Sequence, residues 1–429
     1  MFVPHEPPSI VRSTAATDRA DQSRNARSSE TAEYAFLVGR AIDQETLDKA
    51  IALAAQWGVT PHTVLISVGW VSRTMYVSLI AAHLGLAADA DRASHDRRDP
   101  AGAVQRATLD ATLGRPSEVA SMARAYNREG RAVTLISDED FARLETPEIQ
   151  ALRSDQAIAA LLRTRPLLSA GTPVWLWQLV VVAIASGLIA GCAGIAPDVA
   201  QDILLFGLAL AFLPVAIMRA LILALVARWP AGQAAPEEIA DADLPVYSIL
   251  VPLFREGAVL PDLVSALSVL DYPAAKLDVL IILEEVDQDT QRVAADLDLP
   301  GFMRVIVVPD SLPRTKPKAL NYALQHARGS YVVVYDAEDV PDPDQLRRAV
   351  SAFRQSGDTV SCLQARLNIH NAADAWLARQ FAIEYSVLFD LTLPVLIRLG
   401  LPVPLGGTSN HFPGIMQQTH LNWPSTAAA

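Results

Sequence analysis

Three carboxylates, Asp336, Glu338 and Asp339, follow directly on the run Tyr331-Val-Val-Val-Tyr335. Divalent cations such as Mg or Mn take hard oxygen ligands. Two carboxylates on one short turn supply part of such a shell, and diphosphate oxygens can supply the rest. Asp336 and Glu338 are the expected metal ligands. Five successive β-branched or aromatic residues suit a central strand of a parallel sheet, covered on both faces. Open α/β sheets place ligands beyond the carboxyl ends of their strands, which is where these acids fall. Pro341 and Pro343 fix the turn, and Asp344 is placed to cap a helix beginning near Gln345. A bare Asp-x-Glu is more often an ordinary acidic turn. The strand before it, the prolines after it and its companions elsewhere in the chain favour a ligand site.

Those companions sit on elements that alternate between strand and helix. Strands are expected at Val246–Val251, Leu277–Leu283, Phe302–Val308, Tyr331–Tyr335 and Val360–Leu367, with helices at Val259–Leu270 and Pro317–Ala327. That alternation implies a parallel, Rossmann-like α/β sheet. Glu284 and Glu285 end the second strand. Lys316 and Lys318 open a helix, where an ammonium and the free backbone N–H groups can reach a diphosphate; spacing alone does not decide between the two. Gln364 and Arg366 lie at the fifth strand. Gly406-Gly-Thr-Ser-Asn-His-Phe412 carries paired glycines that let the backbone approach a ligand closely.

Composition bounds the rest. Of 429 residues, 51% are apolar and the mean hydropathy is +0.24, high for a wholly soluble protein. A net charge of −12 and a pI near 5.1 argue against a nucleic-acid partner. Cys192 and Cys362 are the only cysteines, which excludes a disulfide framework and a cysteine zinc site. Residues 1–30 read as a disordered tail. Residues 31–165 read as a mostly helical domain: Leu47, Ile51, Leu53 and Ala54 share a face, a second apolar run covers Val64 to Leu84, Gly58 and Gly69 punctuate the helices, and Arg131–Ile136 is a strand candidate. Within 174–227, Val174–Ile195 carries no charge and Ile203–Ala227 follows it, so two membrane spans are expected. Their connecting loop carries Asp198 and Asp202, while Arg163, Arg165 and Arg228 flank the pair. The positive-inside rule then puts both ends in the cytoplasm. A polar linker, 231–244, leads into the α/β domain.

The motifs of that domain resemble those of family 2 glycosyltransferases, the inverting group that includes cellulose and chitin synthases. The likeness covers Val246 to Phe412. Asp336-Ala337-Glu338-Asp339-Val340-Pro341 resembles the family's Asp-Ala-Asp-x-x-Pro, with Glu338 at the second acid position. Lys316-Pro-Lys-Ala-Leu-Asn321 resembles Lys-x-x-Ala-Leu-Asn, and Glu284-Glu285 stands where the family has Asp-Asp. The resemblance implies a glycosyltransferase-A-like fold and transfer from a nucleotide sugar, UDP-linked, to a saccharide or lipid acceptor. It implies nucleotide contacts at Glu284, Glu285, Lys316, Lys318 and Asp336, with Glu284 and Glu285 as uridine-reading acids. It implies acceptor-side residues at Gln364, Arg366, Gly407, Thr408 and Ser409. Ala372 to Leu399 would form amphipathic helices at the membrane interface. The family's general base is the Asp of a Thr-Glu-Asp motif that is not found after Phe412, so the catalytic residue is unassigned. The expectation at this point is an incomplete domain ending at 412, an aberrant tail over 413–429 and impaired turnover. The alternative is a non-catalytic membrane-bound nucleotide-binding or regulatory protein.

A second resemblance concerns Ile66 to Leu86, which is similar to the N-terminal domain of type II secretion ATPases. Some members bind cyclic di-GMP through an Arg-Leu-Gly signature, for which Val38-Gly39-Arg40 is a poor substitute. The resemblance therefore implies a docking domain for a protein partner. Together these readings imply an inner-membrane, multi-pass protein with cytoplasmic soluble domains.

Overall fold

The computed structural model describes residues 28–88, 106–110, 112, 114–129, 132–137, 147–166, 169, 175–226, 228, 237–357 and 360–414. Of the expected tail, 1–27 lie outside the described residues, whereas Glu30 is helical and pairs with Arg115 at 3.4 Å. Of 231–244, residues 231–236, and of 413–429, residues 415–429, also lie outside them.

In the N-terminal region, helices α1 (Gln44–Trp57), α2 (Pro61–Ser67) and α3 (Arg73–Leu84) precede strands β1 (Ala87–Ala88) and β2 (Arg106–Asp110). Helix α4 (Pro116–Arg128), strand β3 (Ala132–Ile136) and helix α5 (Pro147–Thr164) follow. The apolar positions of α1 recur at helical spacing, so Leu47, Ala50, Ile51 and Ala54 are buried together. Gly58 ends α1 at φ +66°, and Gly69 (φ +81°) divides the second apolar run into α2 and α3. The three strands form a parallel sheet in the order β1-β3-β2, of which the sequence reading found β3 alone.

Helices α6 (Leu176–Ile195) and α7 (Pro197–Val226) are long and apolar enough to cross a membrane. Every side chain of α6 is at least partly exposed, and in α7 Ile222 alone is buried. The hairpin therefore has no protein core of its own, unlike the buried hairpin of a soluble protein. A third helix, α12 (Trp376–Arg398), meets the same length and composition test, although the sequence suggested two spans. It contains a π-helical turn at Val387–Thr392 and packs against the end of α7.

The α/β domain runs β4 (Tyr247–Leu253), α8 (Leu260–Ser268), β5 (Leu277–Glu284), α9 (Gln288–Asp296), β6 (Met303–Val308), α10 (Lys316–Leu324), β7 (Tyr331–Val334), α11 (Gln345–Ser356), β8 (Leu363–Gln364), α12 and β9 (Asn410–Pro413). Its six-stranded sheet has the order β6-β5-β4-β7-β9-β8. The four strands β6, β5, β4 and β7 are parallel, as expected. β9 runs antiparallel to β7 and β8 antiparallel to β9, so the sheet is mixed. Two expectations change here. The fifth strand shortens from Val360–Leu367 to two residues at the sheet edge, and Pro413 belongs to β9, opposite Tyr331, rather than to a tail.

Alternate residues of the central strands face opposite layers. Ile249, Val251, Val279 and Ile281 pack with Leu263 of α8 and Val350 of α11. Leu250, Leu280, Ile282 and Val334 pack with Leu320 and Ala323 of α10, and Ala157 of α5 joins that layer. Helix α10 is thus covered on one side by the sheet and on the other by α5, where Asn321 Nδ2 donates to the Ala157 carbonyl at 2.9 Å. The segment before β4 is packed too. Ile239 and Leu244 are buried, and the ammonium of Lys276 donates to the carbonyls of Asp241, Ala242 and Leu244 at 2.6–2.8 Å.

Candidate functional site

The carboxyl ends of β4, β5 and β7 and the start of α10 converge on a cavity of about 340 Å³, lined among others by Glu256, Glu284, Lys316, Asp336 and Glu338. Glu284 ends β5, Glu256 lies three residues past β4, Asp336 two past β7, and Lys316 opens α10. β4 and β7 are in register from Tyr247–Tyr331 to Leu250–Val334, and β4 and β5 from Tyr247–Leu277 to Leu253–Leu283. A larger cavity, about 540 Å³, lies between α3 and β6, and Asp298 is its lining carboxylate. The acids that could hold a phosphate-bound cation all face the smaller one.

Asp336 follows β7 and is about one-third exposed. The Lys316 ammonium contacts Asp336 Oδ1 and donates to the Gly407 carbonyl at 3.1 Å. Glu338 is exposed, and Glu256 completes an acidic rim. Burial raises the Glu256 carboxyl above its ordinary range, and repulsion from Glu338 and Asp336 adds to this. The Lys316 ammonium balances part of the rim's negative charge. The donor set, carboxylate oxygens alone, suits Mg or Mn. Among the described residues, no group of three or more His, Cys, Asp or Glu side chains is arranged to hold a metal. A cation here would therefore complete its shell with phosphate oxygens or water.

Asp339 does different work from its neighbours. Its Oδ2 accepts from the Asp336 N–H at 2.8 Å and from the Thr408 hydroxyl. Burial pushes its carboxyl up, against the pull of those two donors. Thr408 Oγ1 also lies 3.2 Å from the Asp336 N–H. The 406–409 loop is thereby tied to the acidic turn. Ser409, in the left-handed region at φ +55°, donates its N–H to the Val334 carbonyl at 2.7 Å. Across the cavity, Arg255 is likewise left-handed (φ +60°). Its N–H donates to Asp287 Oδ2 at 2.5 Å, and Asp287 also accepts the Thr290 N–H, so that it caps α9 and fixes the loop bearing Glu256.

The two lysines separate. Lys316 lines the cavity, whereas Lys318 is fully buried. Lys318 Nζ donates to Glu284 Oε2 at 3.1 Å and to the Ser311 carbonyl at 3.0 Å. Glu285 is exposed and accepts the Asp310 N–H at 2.8 Å, away from the cavity lining. Of the residues expected to face an acceptor, Gly407 and Thr408 join the acidic turn as described. Gln364 Oε1 is buried with no protein partner, and Arg366, exposed, pairs with Asp390 of α12. His411 lies inside β9. Its Nδ1 is 2.7 Å from the Tyr247 hydroxyl, and burial lowers its pKa to about 4. Asp344 occupies the helix start without a side-chain cap bond; it pairs instead with Arg348 at 2.8 Å.

Sequence reasoning passed over Glu256 and the bridging role of Asp339. Glu256 follows the first strand as Glu284 follows the second, so the strand-end rule that found Glu284 could have found it. The Asp339–Thr408 contact spans 69 residues and has no local signal.

Comparison with known proteins agrees with this geometry. Residues 245–389 match the family described as "Glycosyltransferase like family 2". A beta-monoglucosyldiacylglycerol synthase of Trichormus variabilis is 32% identical over 149 residues, 34% of this chain and 31% of that protein. A probable glycosyltransferase of Bacillus subtilis, YdaM, is 23% identical over 33% of this chain and 34% of that protein. Glucomannan 4-beta-mannosyltransferase 2 of Arabidopsis thaliana is 24% identical over 35% of this chain and 29% of that protein. The matched segment thus spans about a third of the length of these relatives. Among solved structures, the mannosyltransferase PcManGT of Pyrobaculum calidifontis, in complex with GDP-Man and Mn2+, aligns with a TM-score of 0.35 at 20% identity, over 51% of this chain and 59% of that one. By the family match, residues 245–389 resemble the family 2 glycosyltransferases.

Proposed function

We propose that the chain is a membrane-anchored glycosyltransferase that takes a sugar from a nucleotide-sugar donor and passes it to a saccharide or lipid acceptor. One observation carries the reading: Glu256, Glu284, Lys316, Asp336 and Glu338, from three separate strand ends and a helix start, line one cavity within the segment that matches the family. The names of the relatives, a monoglucosyldiacylglycerol synthase and a glucomannan mannosyltransferase, support a glycolipid or polysaccharide product.

In this reading Glu284 faces the donor's base. Lys316 and the first backbone N–H groups of α10 face its diphosphate. Asp336 and Glu338 would hold a divalent cation, Mg or Mn, which when bound neutralises the charge that grows on the departing diphosphate. Lys316 then neutralises a phosphate oxygen rather than Asp336. Asp339 and Thr408 keep the turn closed, and Gln364 and Arg366 border the acceptor side. Helices α6 and α7, with α12 beside them, anchor the domain in a bacterial-type inner membrane with its soluble parts cytoplasmic. The N-terminal region serves as a docking domain, its Arg73 reaching the Gly301 carbonyl at 2.6 Å. The exposed apolar surface of α6 and α7 supports the anchor.

The test is sugar incorporation by membranes containing the full chain, supplied with labelled UDP-glucose or GDP-mannose and endogenous acceptor. Incorporation that requires a divalent cation and falls about 10²-fold or more in Asp336→Ala supports transfer. Nucleotide binding without incorporation from either donor would favour a non-catalytic nucleotide-binding protein instead.

A further inference from the structure

Lys318 is completely buried and Glu284 nearly so, yet Glu284 forms part of the cavity wall. Taking two charges out of water is costly, and an apolar pair of the same volume stabilises a fold equally well or better. A buried pair placed at a cavity wall, rather than within the core, therefore calls for a use beyond stability. Lys318 engages Glu284 Oε2, while Oε1 has no donor among the described residues. Two other charged groups act on the pair. Asp310 and Arg314, in the connection between β6 and α10, are the other charged groups near Glu284, and they pair with each other at 2.7 Å. From α9, Gln291 Nε2 donates to the Glu284 backbone carbonyl and leaves the carboxylate alone. Lys316 and Glu256 lie further along the same cavity wall.

We propose that Lys318 is a positioning residue for the donor's base: its ammonium holds Glu284 as an oriented carboxylate whose Oε1 accepts the imino N–H of uracil or guanine. The inference rests on the nucleotide-sugar reading above and adds to it a basis for base selection. Uracil N3–H and guanine N1–H donate to such an acceptor. Cytosine N3 and adenine N1 are themselves acceptors, and a fixed carboxylate leaves them unpaired. Burial raises the Glu284 carboxyl, and Lys318 opposes that rise through its hydrogen bond and its charge. With Lys318 removed, nothing opposes that rise, and a carboxyl in its protonated form is a donor, the wrong partner for uracil or guanine and an acceptable one for cytosine.

The experiment measures binding of UDP, GDP, CDP and ADP to the detergent-solubilised full chain with Mg2+ between pH 6 and 8.5. Wild type is expected to prefer UDP or GDP over CDP and ADP by about tenfold or more, the hydrogen bond to a charged group setting that scale. The preference should hold across the pH range, and the UDP and GDP arms identify which base is read. Lys318→Met should lose about tenfold in the preferred nucleotide at the acid end, recover as pH rises, and narrow the gap to CDP. Should that variant not fold, the neutral pair Glu284→Gln with Lys318→Met keeps the volume without the buried charges, and it should lose the base preference. Wild-type preference and a wild-type pH profile in these variants would overturn the inference, as would a wild type indifferent to base. Asp336→Ala separates the two levels. If wild type binds none of the four nucleotides, or Asp336→Ala binds them unchanged, the donor-site reading fails and the inference with it. Cation-dependent binding lost in Asp336→Ala, with an unaltered Lys318→Met profile, would sink the inference alone.

Discussion

Thr408→Val removes a hydroxyl of almost the same shape as the methyl that replaces it, so its effect isolates the hydrogen bond to Asp339. That carboxylate has two protein donors, the Asp336 N–H at 2.8 Å and the Thr408 hydroxyl. Loss of one hydrogen bond to this half-buried charged group costs roughly 1.5–3 kcal/mol. For a domain of 150–250 residues each kcal/mol moves the melting temperature by about 2–4 °C, which gives an expected fall of about 3–12 °C. The change also loosens the turn that presents Asp336, so UDP affinity in the presence of Mn2+ should drop by about tenfold or less. Thermal unfolding of the solubilised full chain, followed by tryptophan fluorescence, and calorimetric titration with UDP check the two halves. Asp339→Asn completes a double-mutant cycle, in which the pair should show a coupling of about 1 kcal/mol or more. A melting temperature within about 1 °C of wild type, with additive effects in the cycle, would refute the bridge between the two loops.

Three further outcomes follow from the fold. A Cβ on Gly329 would lie 2.3 Å from the Ser248 N and 2.5 Å from the Tyr331 carbonyl oxygen. Backbone cannot yield there, so Gly329→Ala should destabilise by about 3 kcal/mol or prevent accumulation of folded protein; a wild-type urea midpoint would contradict this. Burial depresses His62, His326 and His411 to about 4 each, below an unfolded value of ~6.5. The folded state then resists protonation. Stability is full above about pH 6.5 and falls as pH drops toward 4, by up to ~3 kcal/mol per histidine; urea midpoints that stay level from pH 7 to about 4.5 would refute it. Finally, a reporter active only in the periplasm should work when fused near Asp198 and stay silent when fused at Ala227, and the reverse pattern would exclude the proposed orientation.

The four parallel strands were legible because each is a short, mostly apolar run rich in Val, Ile or Leu that ends in a polar turn. The same feature revealed Glu284, Asp336 and Glu338, since strand ends are where a change from apolar to charged is abrupt. β9 was hidden: Asn410–Pro413 is four residues long, follows Gly-Gly-Thr-Ser and has no period of its own. Its pairing with β7 is a contact across some 80 positions of chain. β8 was overread because Gln364, Arg366 and Asn368 alternate with apolar residues as a longer edge strand would. The burial of Lys318 was invisible for a different reason. A lysine in the first turn of a helix reads as solvated, but α10 is buried from Lys318 to Leu324 between the sheet and α5, which comes from more than 150 residues earlier. Local pattern cannot report a cover that tertiary packing supplies.

The account turns on whether the rim of Asp336 and Glu338 holds a cation that in turn holds a nucleotide diphosphate. Calorimetric titration of UDP and GDP into the solubilised full chain, with Mn2+ and then with EDTA, tests this in wild type and in Asp336→Ala. The account predicts binding in wild type that collapses on chelation, and binding in Asp336→Ala that is weaker by about tenfold or more and indifferent to EDTA. Equal affinity in both proteins, with and without EDTA, would contradict it.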